Sequence, residues 1–332
     1  MPQILVAPDS FKGTFSSSAV AAAIGEGIER VPGFVADLLP VADGGEGTAQ
    51  TLQLAAGGEH LPVQVTGPLG KPTAAEFVLL PDGKTAVLDM AAASGLDLII
   101  QSERDPLRAT TYGTGELIIA AVAAGAKQIL IGAGGSATVD GGAGAVEAIE
   151  AGGGLQGAKL TVLCDVRTPF EDAAALFGPQ KGANAKAVKT LQERLIKFAD
   201  SLPRDPRGVP LTGAAGGLSG GLWAQHGAKL TPGAPYVLDQ VGFDQRMRNA
   251  TAVVTGEGRL DSGTLTGKLG AEIATRSRQG GVPCHAVVGE NQLDVFGERM
   301  LDLESVQQAP TLRDLRSAGK RLATSISRAT KT

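Results

Sequence analysis

Three glycine-rich segments, each carrying acid and each entered from a short apolar run, constrain this chain more than any other feature. They are Ala42-Asp43-Gly44-Gly45-Glu46-Gly47-Thr48, Gly132-Ala133-Gly134-Gly135-Ser136-Ala137-Thr138-Val139-Asp140-Gly141-Gly142 and Thr255-Gly256-Glu257-Gly258-Arg259-Leu260-Asp261. A buried strand that runs out into a flexible loop is the building unit of open α/β sheets, where ligands collect beyond the carboxyl ends of the strands. Glycine lets backbone N–H groups approach a phosphate, and carboxylates hold Mg²⁺. The three loops together predict one composite phosphate and metal site on an α/β frame.

At 332 residues the chain is long enough for two such domains, and its 47 glycines are about twice the usual share. Aromatic residues are only 4% of it, so Ala, Val, Leu and Ile must fill the core. A formal charge of −4, spread along the chain, argues against nucleic acid as the main partner, since that partner usually demands a basic face. Cys164 and Cys284 each lie inside an apolar run and read as reduced core thiols. No leader pattern and no apolar run of about 18 residues is present, so no membrane contact and a cytoplasmic location are expected.

Gln3–Ala7 reads as a buried strand, and Ser16–Ser18 offer caps for a helix whose Val20, Ile24 and Ile28 recur every four residues. Asp37–Val41 reads as the next strand, completing a βαβ start. Leu61–Val65, Ala74–Leu80 and Thr85–Met90 are joined by Gly/Pro turns and predict antiparallel hairpins, hence a different domain. Helical spacing returns over Glu116–Ala124 with Thr114 as cap, and again over Ala185–Ala199. Lys127–Ile131, Leu160–Cys164, Ala252–Thr255 and Cys284–Val288 read as further buried strands. The expected fold is α/β with two α/β domains. One is a Rossmann-like or flavodoxin-like parallel-sheet domain, 1–62 plus 235–332. The other is a mixed α/β domain inserted in it, 63–234.

Several motifs compete for the chemistry. Asp43 suits a metal ligand or a base for a substrate hydroxyl, or a simple helix cap; Glu46 also fits a capping box. Gly132–Ala137 fits the dinucleotide pattern G-x-G-x-x-A, with Asp165 closing the next strand. Asp140 argues against it, because it would set a carboxylate beside the pyrophosphate. Gly263 to Lys268 is one residue short of a P-loop, with Leu269 where a hydroxyl is needed, and is rejected. Arg259 and Lys268 suit phosphate oxygens, or salt bridges with Glu257 or Asp261. Lys12 and Lys181 suit a substrate carboxylate or phosphate, or plain solvation. Gly217-Leu218-Ser219-Gly220-Gly221 matches a hydrolase elbow but lacks the preceding strand, and the scattered His60, His226 and His285 suggest no zinc site.

The ordered set of motifs resembles the class I glycerate kinases over nearly the whole chain. It runs through Pro8-Asp9-Ser10-Phe11-Lys12-Gly13, the Asp43 motif, Gly67-Pro68-Leu69-Gly70 and Ala93-Ser94-Gly95-Leu96. Tyr112-Gly113-Thr114-Gly115-Glu116-Leu117, Gly134–Thr138, Phe177-Gly178-Pro179-Gln180-Lys181-Gly182-Ala183 and Gly256–Asp261 continue it. The resemblance implies ATP-dependent phosphorylation of D-glycerate, two α/β domains with the active site in a cleft between them, and Mg²⁺. Departures are Val139 before Asp140, Gly263 after Ser262 and a short 147–159 segment.

Asp43, Asp140, Lys12 and Arg259 are then the expected chemical groups. Ser10, Gly44, Gly45, Glu46, Gly134, Gly135, Ser136, Lys181, Glu257 and Lys268 are expected to bind substrate or phosphate. Asp43, Asp165 and Asp261 are the Mg²⁺ candidates. The product is expected to be 2-phosphoglycerate rather than 3-phosphoglycerate. An NAD-linked enzyme and a non-catalytic sugar-acid sensor stay open as alternatives, as does a homodimer.

Overall fold

A computed structural model describes residues 1–266 and 268–329. Gly267, within the rejected P-loop stretch, lies outside the described residues. The strands are β1 (Gln3–Pro8), β2 (Val35–Leu38), β3 (Glu59–Thr66), β4 (Pro72–Leu79), β5 (Thr85–Asp89), β6 (Gln128–Ala133), β7 (Lys159–Cys164), β8 (Lys229–Pro232), β9 (Ala252–Leu260), β10 (Cys284–Asn291) and β11 (Ser305–Gln308). The chain packs as two units, Met1–Asp43 with Val237–Thr332, and Gly44–Tyr236.

The first unit is a five-stranded sheet in the order β11-β10-β9-β1-β2, parallel at every pairing. Ile4, Leu5, Val6 and Ala7 of β1 are wholly buried, as are Ala252, Val253 and Val254 of β9. Helices cover both faces of such a sheet, which is why its central strands read as continuous apolar runs instead of alternating ones. The Ser17–Glu29 helix starts at Ser16, whose hydroxyl accepts the Ala19 N–H at 3.3 Å, and buries Val20, Ile24 and Ile28. It packs on the Leu312–Ala329 helix. Gly27 and Gly319 permit the close approach, because a Cβ at either would collide with the other helix's backbone.

The second unit is a six-stranded mixed sheet, β3-β4-β5-β6-β7-β8, antiparallel from β3 to β5 and parallel from β5 to β8. Its core holds Phe77, Leu88, Met90, Leu117, Ile118, Ile129, Ile131 and Val162. The unit opens at Gly44, well before residue 63, because the Thr48–Ala56 helix packs on β5 and β4. It closes at Tyr236, inside the Gly233–Gln240 helix.

Two local expectations shift. The second strand is Val35–Leu38, not Asp37–Val41; Leu39 and Val41 still donate N–H bonds to Val6 and Pro8, at 2.8 and 3.1 Å, outside regular pairing. The helix expected from Glu116 begins at Tyr112, and Thr114 lies inside it with its hydroxyl 2.8 Å from that of Ser94. Ser219 is buried and donates to the Leu211 carbonyl at 2.7 Å, so the elbow-like motif is helix packing.

Candidate active site

In the first unit, carboxylates gather beyond β1 and β2 and in the outer part of β9. Asp9 directly follows β1, and its Oδ1 accepts the Ser10 N–H at 2.7 Å. Asp43 is buried and its Oδ2 lies 3.1 Å from Lys12 Nζ, whose side chain is 56% exposed. Burial holds Asp9 well above the ordinary carboxylate range; Asp43 pushes the same way, and Lys12 opposes both. Glu257, inside β9, is pushed by burial up to about 7, although Thr264 donates to it at 3.1 Å and Lys268 attracts its charge. Carboxyls raised by burial beside ammonium groups mark a candidate functional site.

Around them, Asp261 Oδ1 accepts the Gly263 N–H at 2.8 Å and shapes the turn before Lys268. Lys268 sits at the N-cap position of the Leu269–Gly280 helix. Arg259 departs from the group. It faces Glu290 across the β9–β10 pair, Nε to Oε2 at 3.1 Å, with both side chains more than half exposed. Such a surface pair is worth about 0–1 kcal/mol, so it holds Arg259 only loosely.

In the second unit the parallel strands β5, β6 and β7 end at one edge with Asp89, the Gly134 loop and Asp165. The loop Gly44–Glu46 is stitched to the same edge, since the Ala133 N–H donates to the Gly44 carbonyl at 3.0 Å. Gly134 must be glycine: a Cβ there would sit 2.6 Å from Gly45 Cα and 3.4 Å from Asp165 Oδ2. Gly135 has φ +69°, and its carbonyl accepts the Leu96 N–H at 2.8 Å. The helix after this loop begins only at Ala143. The glycines therefore do not open a helix directly after the strand, as the dinucleotide pattern needs.

Lys181 lies in the interior, 3% exposed. Its ammonium donates to Ser136 Oγ and to the Thr138 carbonyl, both at 2.7 Å. Burial pulls its pKa from 10.5 down to about 7, outweighing the pull of Asp165 and Asp140 in the other direction. It is thus a strut under the Gly134–Thr138 loop, not a solvated lysine.

Asp140 receives four bonds: the Thr111 N–H and O–H at 2.8 Å each, the Gly142 N–H at 3.0 Å and the Gly144 N–H at 3.3 Å. These donors stand at the starts of the Tyr112–Ala123 and Ala143–Ala151 helices, so its carboxylate pins two helix ends at once. Val139 beside it is core. The short 147–159 segment is the end of the second of these helices and a glycine turn into β7.

Asp9, Asp89, Thr111 and Thr264 carry weight in these clusters without having stood out in the sequence. For Asp9 and Asp89 a signal existed, an acid at the carboxyl end of a predicted strand; a lone acid there is too common to select. Among the described residues no three His, Cys, Asp or Glu side chains converge on a metal-sized point, and no helix is long and apolar enough to cross a membrane.

Comparison with known proteins identifies the class. A family model described as the glycerate kinase family matches residues 4–154 and 151–332. A glycerate kinase of Bacillus subtilis is 43% identical over 331 residues, covering 88% of this chain and 86% of its own. A glycerate 2-kinase of Escherichia coli is 38% identical over 329 residues, with 88% and 86% covered. A crystal structure from Salmonella typhimurium LT2, described as a candidate glycerate kinase 2, superposes with a TM-score of 0.81 at 34% identity over the whole of both chains. The protein is a kinase with a small-molecule substrate. The chain belongs to the glycerate kinase family.

Proposed function

We propose that this chain transfers the γ-phosphoryl group of ATP, delivered as its Mg²⁺ complex, to the C2 hydroxyl of D-glycerate. The observation that carries the reading is the gathering, in the first unit, of the carboxyl groups of Asp9, Asp43 and Glu257 with the ammonium groups of Lys12 and Lys268, burial pushing Asp9 and Glu257 above the ordinary carboxylate range. Phosphoryl transfer asks for positioned charge more than for covalent help. The C2 assignment rests on the Escherichia coli relative, whose name specifies a 2-kinase.

The donor set fits a hard divalent cation. Asp43 raises the pKa of Asp9, and a cation bound by the two would relieve that repulsion. Mg²⁺ commonly needs only one or two carboxylates, with water and phosphate oxygens for the rest, so a full protein cage is unnecessary. Asp9 joins Asp43 as the preferred pair, with Asp165 and Asp261 as further candidates. When bound, the cation neutralises charge on the nucleotide's phosphates. The chain's own part is to accept the hydroxyl proton at Asp43, to balance anionic oxygens with Lys12 and Lys268, and to offer backbone N–H groups from Gly44, Gly45, Gly134 and Gly135. Ser10, Glu46 and Ser136 add polar contacts, and Asp140 and Lys181 hold the loops in place.

Phosphorus NMR of the product tests the reading. Phosphate on C2 couples to one carbon-bound proton and gives a doublet, whereas phosphate on C3 couples to two and gives a triplet. A doublet is expected, a triplet overturns the C2 assignment, and no ester signal overturns the activity.

A further inference from the structure

The Thr48–Ala56 helix has no cap of its own. It opens at Gly47, in the left-handed region at φ +89°, with no side-chain hydrogen bond from the cap position. Its end is held instead from another element. Asp89, the last residue of β5, accepts the Gly47 N–H on Oδ2 at 2.8 Å and the Ala49 N–H on Oδ1 at 3.1 Å. With one of these N–H groups on each oxygen, the carboxylate spans the first turn as a bidentate clamp. A negative charge at a helix N-terminus is favoured by the helix dipole as well as by the two bonds.

The neighbouring strand is built around this clamp. Gly132 of β6 pairs with Asp89 in register. A Cβ on Gly132 would lie 2.7 Å from Asp89 Oδ1 and 2.8 Å from the Gly45 carbonyl. Only glycine leaves room for the carboxylate and the loop side by side. The Ala133 N–H then fixes the Gly44 carbonyl at 3.0 Å. Gly44 and Gly47 are thus fastened at the two ends of a short loop, with Gly45 and Glu46 between them and Asp43 immediately before it.

We infer that Asp89 is a positioning residue for the reaction: it sets the Gly44–Gly47 loop, and through it the groups on either side, without touching substrate. The inference rests on the kinase reading above, because the loop is assigned to the reaction there. A residue that only stabilised the fold would lower the melting temperature and leave turnover per folded molecule unchanged. A residue that places reacting groups lowers kcat, because misplacement by about 1 Å costs on the order of 10²-fold.

The test is Asp89→Asn, with Gly132→Ala as an independent disturbance of the same clamp from the opposite side. The asparagine keeps one acceptor and turns an NH₂ group toward the other N–H; the alanine keeps the charge and crowds it. Both are assayed for glycerate-dependent ADP release at saturating substrates, alongside amide exchange at Gly47 and Ala49. In both variants we expect kcat to fall at least about tenfold with KM for glycerate within about threefold, and the two amides to exchange faster. If Asp89→Asn does not fold, Gly132→Ala carries the test alone. A folded variant with kcat within about twofold of wild type overturns the inference. Wild-type protein without glycerate-dependent release overturns the kinase reading instead, so the two failures are distinguishable.

Discussion

Replacing Asp140 decides whether that carboxylate is a clamp or a reagent. In the structure Oδ2 serves three donors, the Thr111 N–H and O–H and the Gly144 N–H, while Oδ1 serves the Gly142 N–H alone. A hydrogen bond to a charged group contributes about 1.5–3 kcal/mol, less where the freed donor can reach water. Asp140→Ala orphans all four donors, two of them on the fully buried Thr111, and should cost about 3–5 kcal/mol. Asp140→Asn can keep its oxygen at the crowded position and sets its NH₂ only against Gly142, so about 1–2 kcal/mol is expected. The chain has a single tryptophan, Trp223, and it lies in the second unit, so its fluorescence during urea unfolding reports the unit that Asp140 pins. With an m-value of about 2 kcal/mol/M, the midpoint should fall by about 2 M for alanine and by about 0.5–1 M for asparagine. Unchanged midpoints in two equally inactive variants would refute the clamp and return Asp140 to the chemistry.

Three further outcomes follow from the same geometry. Asp43→Asn should lower kcat by about 10²–10³ with the fold intact by circular dichroism, and near wild-type turnover would remove Asp43 from the reaction. Lys181 has a folded pKa of about 7 against 10.5 unfolded, so between those values the unfolded chain binds the extra proton. Stability of the second unit should therefore rise with pH across that window, by up to about 1.4 kcal/mol per pH unit, and fall away as pH drops through 7. Lys181→Met should flatten the dependence, read by Trp223 fluorescence; an unchanged slope contradicts it. Glu257 has the opposite sign, with a folded pKa of about 7 against 4.5, so its contribution is full below 4.5 and lost as pH rises through 7. Glu257→Gln keeps an oxygen for the Thr264 hydroxyl and should raise stability by calorimetry at pH 8, by at most about 3 kcal/mol, with no gain at pH 4.

Much of the frame was legible because buried parallel strands announce themselves. Ile4–Ala7 and Ala252–Val254 are apolar on both faces, and no local alternative competes with that pattern. Helix starts were less legible where the cap comes from elsewhere. Ser16 caps its own helix and was readable, whereas the helix after Gly47 is capped by Asp89, about forty residues away in sequence, and the one that begins at Tyr112 is tied by Asp140. The unit boundary was displaced for the same reason, since the Thr48–Ala56 helix belongs with strands that follow it. Among the site residues, charge type was readable but environment was not. Lys181 and Arg259 look alike as basic residues beside glycine, yet one is interior beneath a loop and the other is a surface partner of Glu290. Only the folded chain, which decides how much water each keeps, separates them.

The most direct test of the account is steady-state ADP release by the wild-type chain, measured with MgATP and D-glycerate together and with each omitted in turn. Release is expected to saturate with glycerate and to vanish without it. Folded protein that releases no ADP in the complete mixture, or releases it equally without glycerate, would contradict the account at its centre.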